Sequence, residues 1–403
     1  MAQLHRADAE PDARDIQSKV DIQLRRRIFW TTYVLDRAVG TMFDLPFSIP
    51  DHQITIKMYA NIDDTELHQR CQEAFPDDPT SQPYYTNISS ALHVVYCRQI
   101  QSEILNTTLH KDFDECFDKQ HQWRRRILEK LDRWKKLVHR YTNSQSGIYM
   151  AQEEWLQMIY NFSLVMLYLP NRQTASGPAG EWTVKACVRA ILIFRKFQRE
   201  LSISEAWMGL IAQFKCGVSL LYCFFATPPS ARSAVYDPVE ASEAVRACSI
   251  ILSLLAERWP VSKCLRDTFD ILASEVPLVE AFAVSSVSHR RRIRVESAQK
   301  LLNLLPQTKT LVVHRVTLRM IKEMATQDFC WIAEANQVPG QPHESNESNL
   351  VLENDASPLG TVVTGELFQP VTPHFFPLDM SELEHDPFDY TSLGFPDIFD
   401  TAM

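Results

Sequence analysis

Glycine is scarce in this sequence: the 403 residues include 10 glycines, whereas an average protein of this length has about 28. Leucine, alanine, isoleucine, arginine and glutamine are plentiful, and these residues favour helices over tight-turned β structure. The length allows one large or two ordinary domains. We therefore predict an all-α fold, an irregular multi-helix body.

Clustered cysteines are also missing. The nine cysteines stand singly and no Cys-x-x-Cys spacing occurs. A structural zinc site or a disulfide framework needs clustered cysteines, so we expect reduced, mostly buried thiols and no cofactor in this chain. His93 and Cys97 have the one-turn spacing of metal ligands, but no second ligand pair accompanies them. Core packing is therefore the favoured interpretation of this pair.

Targeting segments and enzyme motifs are absent as well. The N-terminus is polar and charged, and the longest apolar run, Cys216 to Ala226, is too short to span a bilayer, so we expect an intracellular protein without a membrane partner. No nucleophile elbow, phosphate loop, HExxH or dinucleotide fingerprint occurs. Asp63, Asp64 and Glu66 are similar to the magnesium motifs of all-α terpene synthases, but they lie in a loop-like segment without a partner motif. We predict no catalytic residues and no enzyme.

Basic residues are missing from the end of the chain. From Glu323 onward there are 15 acidic and no basic residues, and the first 322 residues carry 41 basic against 35 acidic ones. Residues 337–403 are rich in proline, asparagine, serine and glutamate, a composition typical of disorder. A mildly basic body therefore precedes an acidic tail that we predict to be disordered.

Within this tail, aromatic residues alternate with acidic ones between 375 and 400. Such alternation is typical of transcription-activation segments, which dock as short helices into an apolar groove on a coactivator. A merely solubilising tail is the alternative, but solvating tails avoid aromatic residues. The candidate activation residues are Phe375, Phe376, Phe388, Tyr390, Phe395 and Phe399.

The strongest helical pattern lies between Leu24 and Pro50, where Pro46 and Pro50 prevent continuation. One stripe at helical spacing consists of Leu24, Ile28, Thr31, Leu35, Val39 and Met42, and Phe29 with Tyr33 adds a second. We therefore predict a helix buried around most of its circumference. Asp36 and Arg37 are interpreted as a structural ion pair rather than catalytic groups. The cluster Arg25–Arg27 can contact DNA phosphate or cap the helix and pair with acidic neighbours; the second interpretation is favoured.

The order of residues in this stretch matches a known family pattern, in which a basic turn precedes an aromatic helix with Leu-Asp-Arg, a proline and an Ile-x-Asp-x-x-Ile segment. The matching residues are Arg25, Arg26, Arg27, Phe29, Trp30, Leu35, Asp36, Arg37, Pro46, Ile49, Asp51 and Ile54. The stretch resembles the central regulatory region of fungal zinc-cluster transcription factors, the fungus-specific transcription factor domain. Asp44 departs from the pattern, because the family usually has glycine there.

Further motifs of the family follow in order, so that the resemblance covers residues 24 to 282. They are Leu167-Tyr168-Leu169-Pro170, Cys248-Ser249, Glu257-Arg258-Trp259-Pro260 and Arg266-Asp267-Thr268-Phe269. Apolar periodicity predicts helices at Ile88–Thr108, Trp123–Tyr141, Tyr149–Leu169, Trp182–Leu201, Trp207–Ala226, Val239–Arg258 and Cys264–Phe282, and two more near 295–305 and 311–333.

The predicted organisation is a polar segment at 1–22, a helical regulatory domain at 23–282, a basic and helical extension at 283–336 and the tail at 337–403. Met1–Arg6 is similar to the end of a helix inside the family's domain, so we expect a longer domain whose zinc cluster lies upstream and is absent here. Arg290, Arg291, Arg292 and Arg294 are a candidate nuclear localisation signal, with a solvated helix start as the alternative.

The resemblance implies a nuclear transcription regulator that recruits coactivators through its tail and controls a metabolic gene set, with secondary metabolism as the family-level expectation. DNA contact is expected only through an absent or partner domain, zinc only in the absent cluster, and a homodimer is compatible with the family. An all-α enzyme or a metabolite-binding domain is the alternative function.

Overall fold

The computed structural model describes residues 4–76, 85–109, 121–143, 145, 149–200, 203, 206–278, 289–312, 314–327 and 329–331. Eleven α-helices lie within these residues: α1 (Ile16–Phe43), α2 (Leu67–Glu73), α3 (Ser89–Thr108), α4 (His121–Lys136), α5 (Glu153–Tyr168), α6 (Pro178–Arg199), α7 (Ala206–Ala226), α8 (Pro238–Arg258), α9 (Lys263–Glu275), α10 (Val295–Leu311) and α11 (Arg315–Thr326). Two short strands, β1 (His289–Arg291) and β2 (Phe329–Trp331), pair antiparallel with Arg290 opposite Cys330. The described residues are therefore all-α apart from this ribbon, and the predicted tail lies outside them.

The ends of the helices follow from local sequence. Asp15 and Ser18 form a capping box at the start of α1, in which the Ser18 amide donates to the Asp15 carboxylate at 2.7 Å. At the start of α8, the Asp237 carboxylate accepts from the Val239 amide at 2.8 Å, and Pro238 occupies the first helical position, which needs no amide donor. The capping box places the start of α1 at Ile16, eight residues before Leu24, which is the first residue of the apolar pattern.

The main core is built around α6 and α7. Helix α6 packs against α5, α7 and α8. Helix α9 packs against α7 and α8, α11 packs against α7, and α10 packs against α9 and α11. Among the described helices, α7 alone is long and apolar enough to cross a membrane by length and composition, but 83% of its most apolar window is buried inside the fold. It is therefore the central helix of a protein core.

A second, smaller core lies between α1, α3 and the segment before α2. Phe29, Trp30 and Tyr33 of α1 pack there against Ile56 and Met58. The Trp30 indole N–H donates to the Lys57 carbonyl at 2.9 Å, and its ring makes edge-to-face contacts with Phe29 and Tyr33 at 5.2 and 5.1 Å. The aromatic residues of the family motif therefore anchor α1 to the rest of the body.

The prediction that α1 is buried around most of its circumference is wrong. Four residues of the predicted aliphatic stripe are exposed: Leu24 (44%), Ile28 (56%), Leu35 (55%) and Val39 (43%). The opposite face is buried instead and contains two arginines, Arg26 at 2% and Arg37 at 1% exposure, beside the aromatic residues. A hydropathy pattern predicts that arginine side chains are exposed to solvent, but a guanidinium that is paired and hydrogen-bonded can be buried.

The predicted division between the last two helices, between 305 and 311, is also wrong. Helix α10 continues through Pro306 to Leu311, and α11 begins at Arg315, with the His314 side chain accepting from the Thr317 amide. The turn after Pro306 is held by tertiary contact, because Thr308 is fully buried and its hydroxyl lies 3.2 Å from that of Thr268 in α9. Packing thus outweighs the local cost of proline.

Candidate functional site

The arginines of the basic cluster at residues 25–27 bind the protein's own chain. Arg26 forms a bidentate ion pair with Glu10, at 2.7 and 2.9 Å. Arg27 pairs with Asp64 and donates to the Ile62 carbonyl at 2.7 Å, and Arg25 donates to the Ala9 carbonyl at 3.1 Å. All three hold the segments before and after α1 onto the helix, which is a structural role.

Arg37 lies at the centre of a second buried network. Its guanidinium donates to Asp36 at 2.6 Å, to Asp51 at 3.0 Å and to the Ile49 carbonyl at 2.7 Å. It also lies over the Tyr33 ring, with 4.0 Å to the centroid, and over Phe47, with 4.3 Å. The Leu-Asp-Arg motif therefore closes the loop after α1, including Pro46, onto the helix, while Leu35 of the same motif faces solvent.

Asp44, the residue that departs from the family pattern, ends α1 in the left-handed conformation, with φ of 56°. Glycine is favoured there, but aspartate tolerates this conformation better than most residues do. Its carboxylate is 8% exposed and accepts from the Arg315 Nε at 2.7 Å. The glycine-to-aspartate difference thus supplies an ion pair that ties the end of α1 to α11.

The later motif residues join α8 to α9. Trp259 packs edge-to-face on Trp207 at 5.3 Å, the Arg258 guanidinium lies 4.9 Å from the Trp259 centroid, and Glu257 is exposed. Pro260 begins the short 3-10 turn before α9. Arg266 pairs with its neighbour Asp267 at 2.6 Å on a partly exposed face.

The basic run at residues 290–294 spans β1 and the start of α10. Arg290 and Arg291 belong to the strand, Arg292 is exposed, and Arg294 donates to the Glu275 carboxylate at 2.6 Å. The nuclear-signal assignment stays a prediction. The six candidate activation residues, from Phe375 to Phe399, lie outside the described residues.

The predicted core interpretation of His93 agrees with its surroundings. Its ring is stacked between those of Trp134 and Tyr141, at 4.3 and 4.5 Å, and burial lowers the pKa of His93 to about 3. Seven cysteines, at positions 71, 97, 187, 216, 223, 248 and 264, are free and buried, as predicted. No group of three or more histidine, cysteine, aspartate or glutamate side chains that could hold a metal ion occurs in the described part of the chain.

A cavity between α1, α3, α5, α6 and α7 is the feature that sequence reasoning missed. Its volume is about 130 Å³, and its lining is mostly apolar. The apolar part is formed largely by methionines and aromatic residues, namely Met42, Met158, Met166, Met208, Trp155, Phe162, Phe194 and Phe197. Thr41, Gln101, Arg98 and Lys215 supply the polar part. Because five helices contribute, no single stretch of sequence shows the cavity.

Comparison with known proteins bears on the part of the chain that contains α1 to α4. Residues 3–136 match the fungal specific transcription factor domain. This region is a fungal specific transcription factor domain. Such a domain is typical of transcription factors and not of enzymes, and this family implies nuclear localisation.

Curated relatives of this transcription factor family extend the match. Pyrimidine pathway regulatory protein 1 of Saccharomyces cerevisiae is 25% identical over 261 residues, which are 63% of this chain and 28% of the relative. Positive regulator of purine utilization of Emericella nidulans is 23% identical over 293 residues, 61% of this chain and 27% of the relative. Protein STB5 of Saccharomyces cerevisiae is 22% identical over 272 residues, 64% of this chain and 34% of the relative.

The chain therefore spans about a quarter to a third of the length of these relatives. It is distantly homologous to fungal zinc-cluster transcription regulators, as the motifs around α1 predicted. No solved structure matches the chain.

Proposed function

We propose that this chain is the regulatory and activating part of a fungal zinc-cluster-type transcription regulator. The helical body scaffolds and regulates, and the acidic tail recruits coactivators. The observation that carries this proposal is the tail's alternation of aromatic and acidic residues behind a transcription factor domain. In this proposal, DNA is contacted by a zinc cluster outside these residues or on a partner chain. The controlled genes belong to a metabolic pathway, and secondary metabolism is the first to examine.

A fusion experiment tests the activating role. Residues 337–403 are joined to an unrelated DNA-binding domain, and transcription of a reporter gene is measured in a fungal host. We expect activation well above that of the DNA-binding domain alone. Alanine at the six candidate aromatic positions should abolish it, because the aromatic side chains supply the apolar contacts with the coactivator.

A matched control carries six alanines at the serine and asparagine residues 345, 346, 348, 349, 354 and 357 of the same tail. This variant should keep full activity. A silent reporter with the unchanged tail would reject the activating role. Equal loss in both variants would show that the aromatic residues are not what the coactivator recognises.

The cavity favours a second role for the body, the binding of a small molecule. Its lining differs from that of an ordinary core, because an unfilled, mostly apolar volume is lined by two cationic side chains as well. This role does not depend on the tail.

A further inference from the structure

The charged side chains that line the cavity are all cationic. Of the nineteen described residues that line it, two are cationic, Arg98 and Lys215, and none is an aspartate or a glutamate. Arg98 is half-buried, and its guanidinium donates to the Gln101 side-chain oxygen at 2.6 Å. A cleft with low-dielectric walls and charge of one sign favours ligands of the opposite sign. The lining therefore favours an anion over a cation.

Lys215 brings its charge to the cavity without an acidic partner. Its ammonium donates to the Thr41 and Met42 carbonyls, both at 3.2 Å, at the C-terminal end of α1. No carboxylate among the described residues lies within ion-pair distance of it. Burial lowers the pKa of Lys215 to about 8, against the opposing effects of Cys216 and Asp44. Two of its three N–H donors are engaged, which leaves one for a ligand.

The size and walls of the cavity limit what such an anion can be. A cavity of about 150 Å³ accommodates one benzene molecule, and the volume here is about 130 Å³. Four methionines line it, Met42, Met158, Met166 and Met208, and flexible thioether side chains adapt to varied apolar shapes. The space therefore suits one apolar ring or a short branched chain.

We propose that this cavity is an effector site for a small carboxylic acid, whose apolar part fills the methionine-lined space and whose carboxylate binds beside Lys215. The inference concerns the helical body alone. Its test is independent of the test of the tail's proposed activating role, because the reporter fusion does not contain the helical body.

Three single-ring probes of similar shape test the proposal on the full chain: benzoate, its neutral analogue benzamide and the cation benzylamine. The protein carries ¹³C-labelled methionine methyl groups, and each probe is titrated by NMR. We expect benzoate to shift the four methionine resonances of the cavity, through the ring current of the probe. Met58, Met320 and Met324 are buried elsewhere in the body and should not move. Benzamide should bind about tenfold or more weakly, and benzylamine should not bind.

Variants then test the role of the ammonium. Lys215→Met should weaken benzoate about 10- to 100-fold and leave benzamide nearly unchanged, because only the charged contact is lost. The matched control is Lys196→Met, which removes a lysine that pairs with Glu154 on the surface at 2.9 Å; its benzoate affinity should equal that of the unchanged chain. Ala212→Leu extends a lining residue into the space and should abolish binding of both probes.

Several results would overturn the proposal. These are benzoate and benzamide binding equally, shifts at Met58 or Met320 instead of the cavity methionines, or no binding of benzoate at all. Because Lys215 also holds the end of α1, its variant can fail to fold. The comparison of the three probes on the unchanged chain decides the question in that case.

Discussion

Trp30 and Leu35 are both apolar residues of the motif in α1, yet only Trp30 is buried, so the two should contribute very differently to the free energy of unfolding. Trp30 is 4% exposed, packs on two aromatic rings and donates to the Lys57 carbonyl, whereas Leu35 is 55% exposed. We expect Trp30→Ala to lower the free energy of unfolding by about 3–5 kcal/mol, from lost transfer energy and the cavity left behind. Leu35→Ala should lower it by less than about 0.5 kcal/mol.

A third variant separates the packing of Trp30 from its hydrogen bond. Trp30→Phe keeps most of the ring contacts but leaves the Lys57 carbonyl without this donor, so we expect a loss of about 1–2 kcal/mol from the bond and the small void together. Urea unfolding followed by far-ultraviolet circular dichroism measures all three, because fluorescence would change with the removal of a tryptophan. A marginally stable domain has about 5–15 kcal/mol in total, so the effect of Trp30→Ala is large enough to resolve.

A free energy of unfolding for Trp30→Ala within about 1 kcal/mol of that of the unchanged chain would refute the role of Trp30 as a core anchor. A loss from Leu35→Ala as large as that from Trp30→Ala would refute the difference between the two faces. The second result would mean that the aliphatic face of α1 is buried in solution.

Three further predictions follow from individual contacts. In the folded chain His93 takes up a proton only near pH 3, whereas in the unfolded chain it does so near pH 6.5. The contribution of the neutral, buried His93 to the free energy of unfolding is therefore complete above pH 6.5 and falls as the pH drops. His93→Phe should remove up to about 1.4 kcal/mol per pH unit from the slope of unfolding free energy between pH 6 and 4; an unchanged slope would contradict the neutral buried state. Arg37→Met leaves two carboxylates without their buried cation and should cost about 3–5 kcal/mol, against less than about 1 kcal/mol for Arg266→Met in a partly exposed pair; equal losses in urea unfolding would refute this. A Cβ at Gly180 would overlap the Ala175 carbonyl, so Gly180→Ala should lower the thermal midpoint through a loss of about 1–3 kcal/mol. A Cβ at Gly177 would lie 3.9 Å from the Thr174 carbonyl, an ordinary contact, so Gly177→Ala should change the midpoint little.

Periodicity in the sequence predicted the existence of nearly all the long helices, because each buries one apolar face. In α4 and the short 3-10 turn after it, the predicted inward residues Ile127, Leu131, Trp134 and Val138 are all 3% exposed or less. The same rule overstated how much of α1 is buried. The buried face contains Arg26 and Arg37, whose acidic partners Glu10 and Asp51 lie in the segments before and after the helix and leave no periodic signal.

The candidate site was beyond sequence reasoning for a related reason. Ala38, Gln101, Met158 and Lys215 come from four different helices, and each of them individually resembles an ordinary core or capping residue. Only the packing of these helices leaves an unfilled volume between them. Periodic patterns report which side of a helix is buried, but they do not report how completely the buried space is filled.

The ion pair between Arg26 and Glu10 has a practical consequence for hybrid regulators. Swapping the DNA-binding module of such a protein requires a junction, and the start of α1 at Ile16 is an obvious place to put it. A junction there would remove Glu10, the acidic partner of Arg26, whose side chain is 2% exposed, and the Ala9 carbonyl that accepts from Arg25. Losing one partner of a buried pair costs several kcal/mol, about 3–5. A stable hybrid therefore has to keep the residues in front of the helix, at least from Leu4 onward.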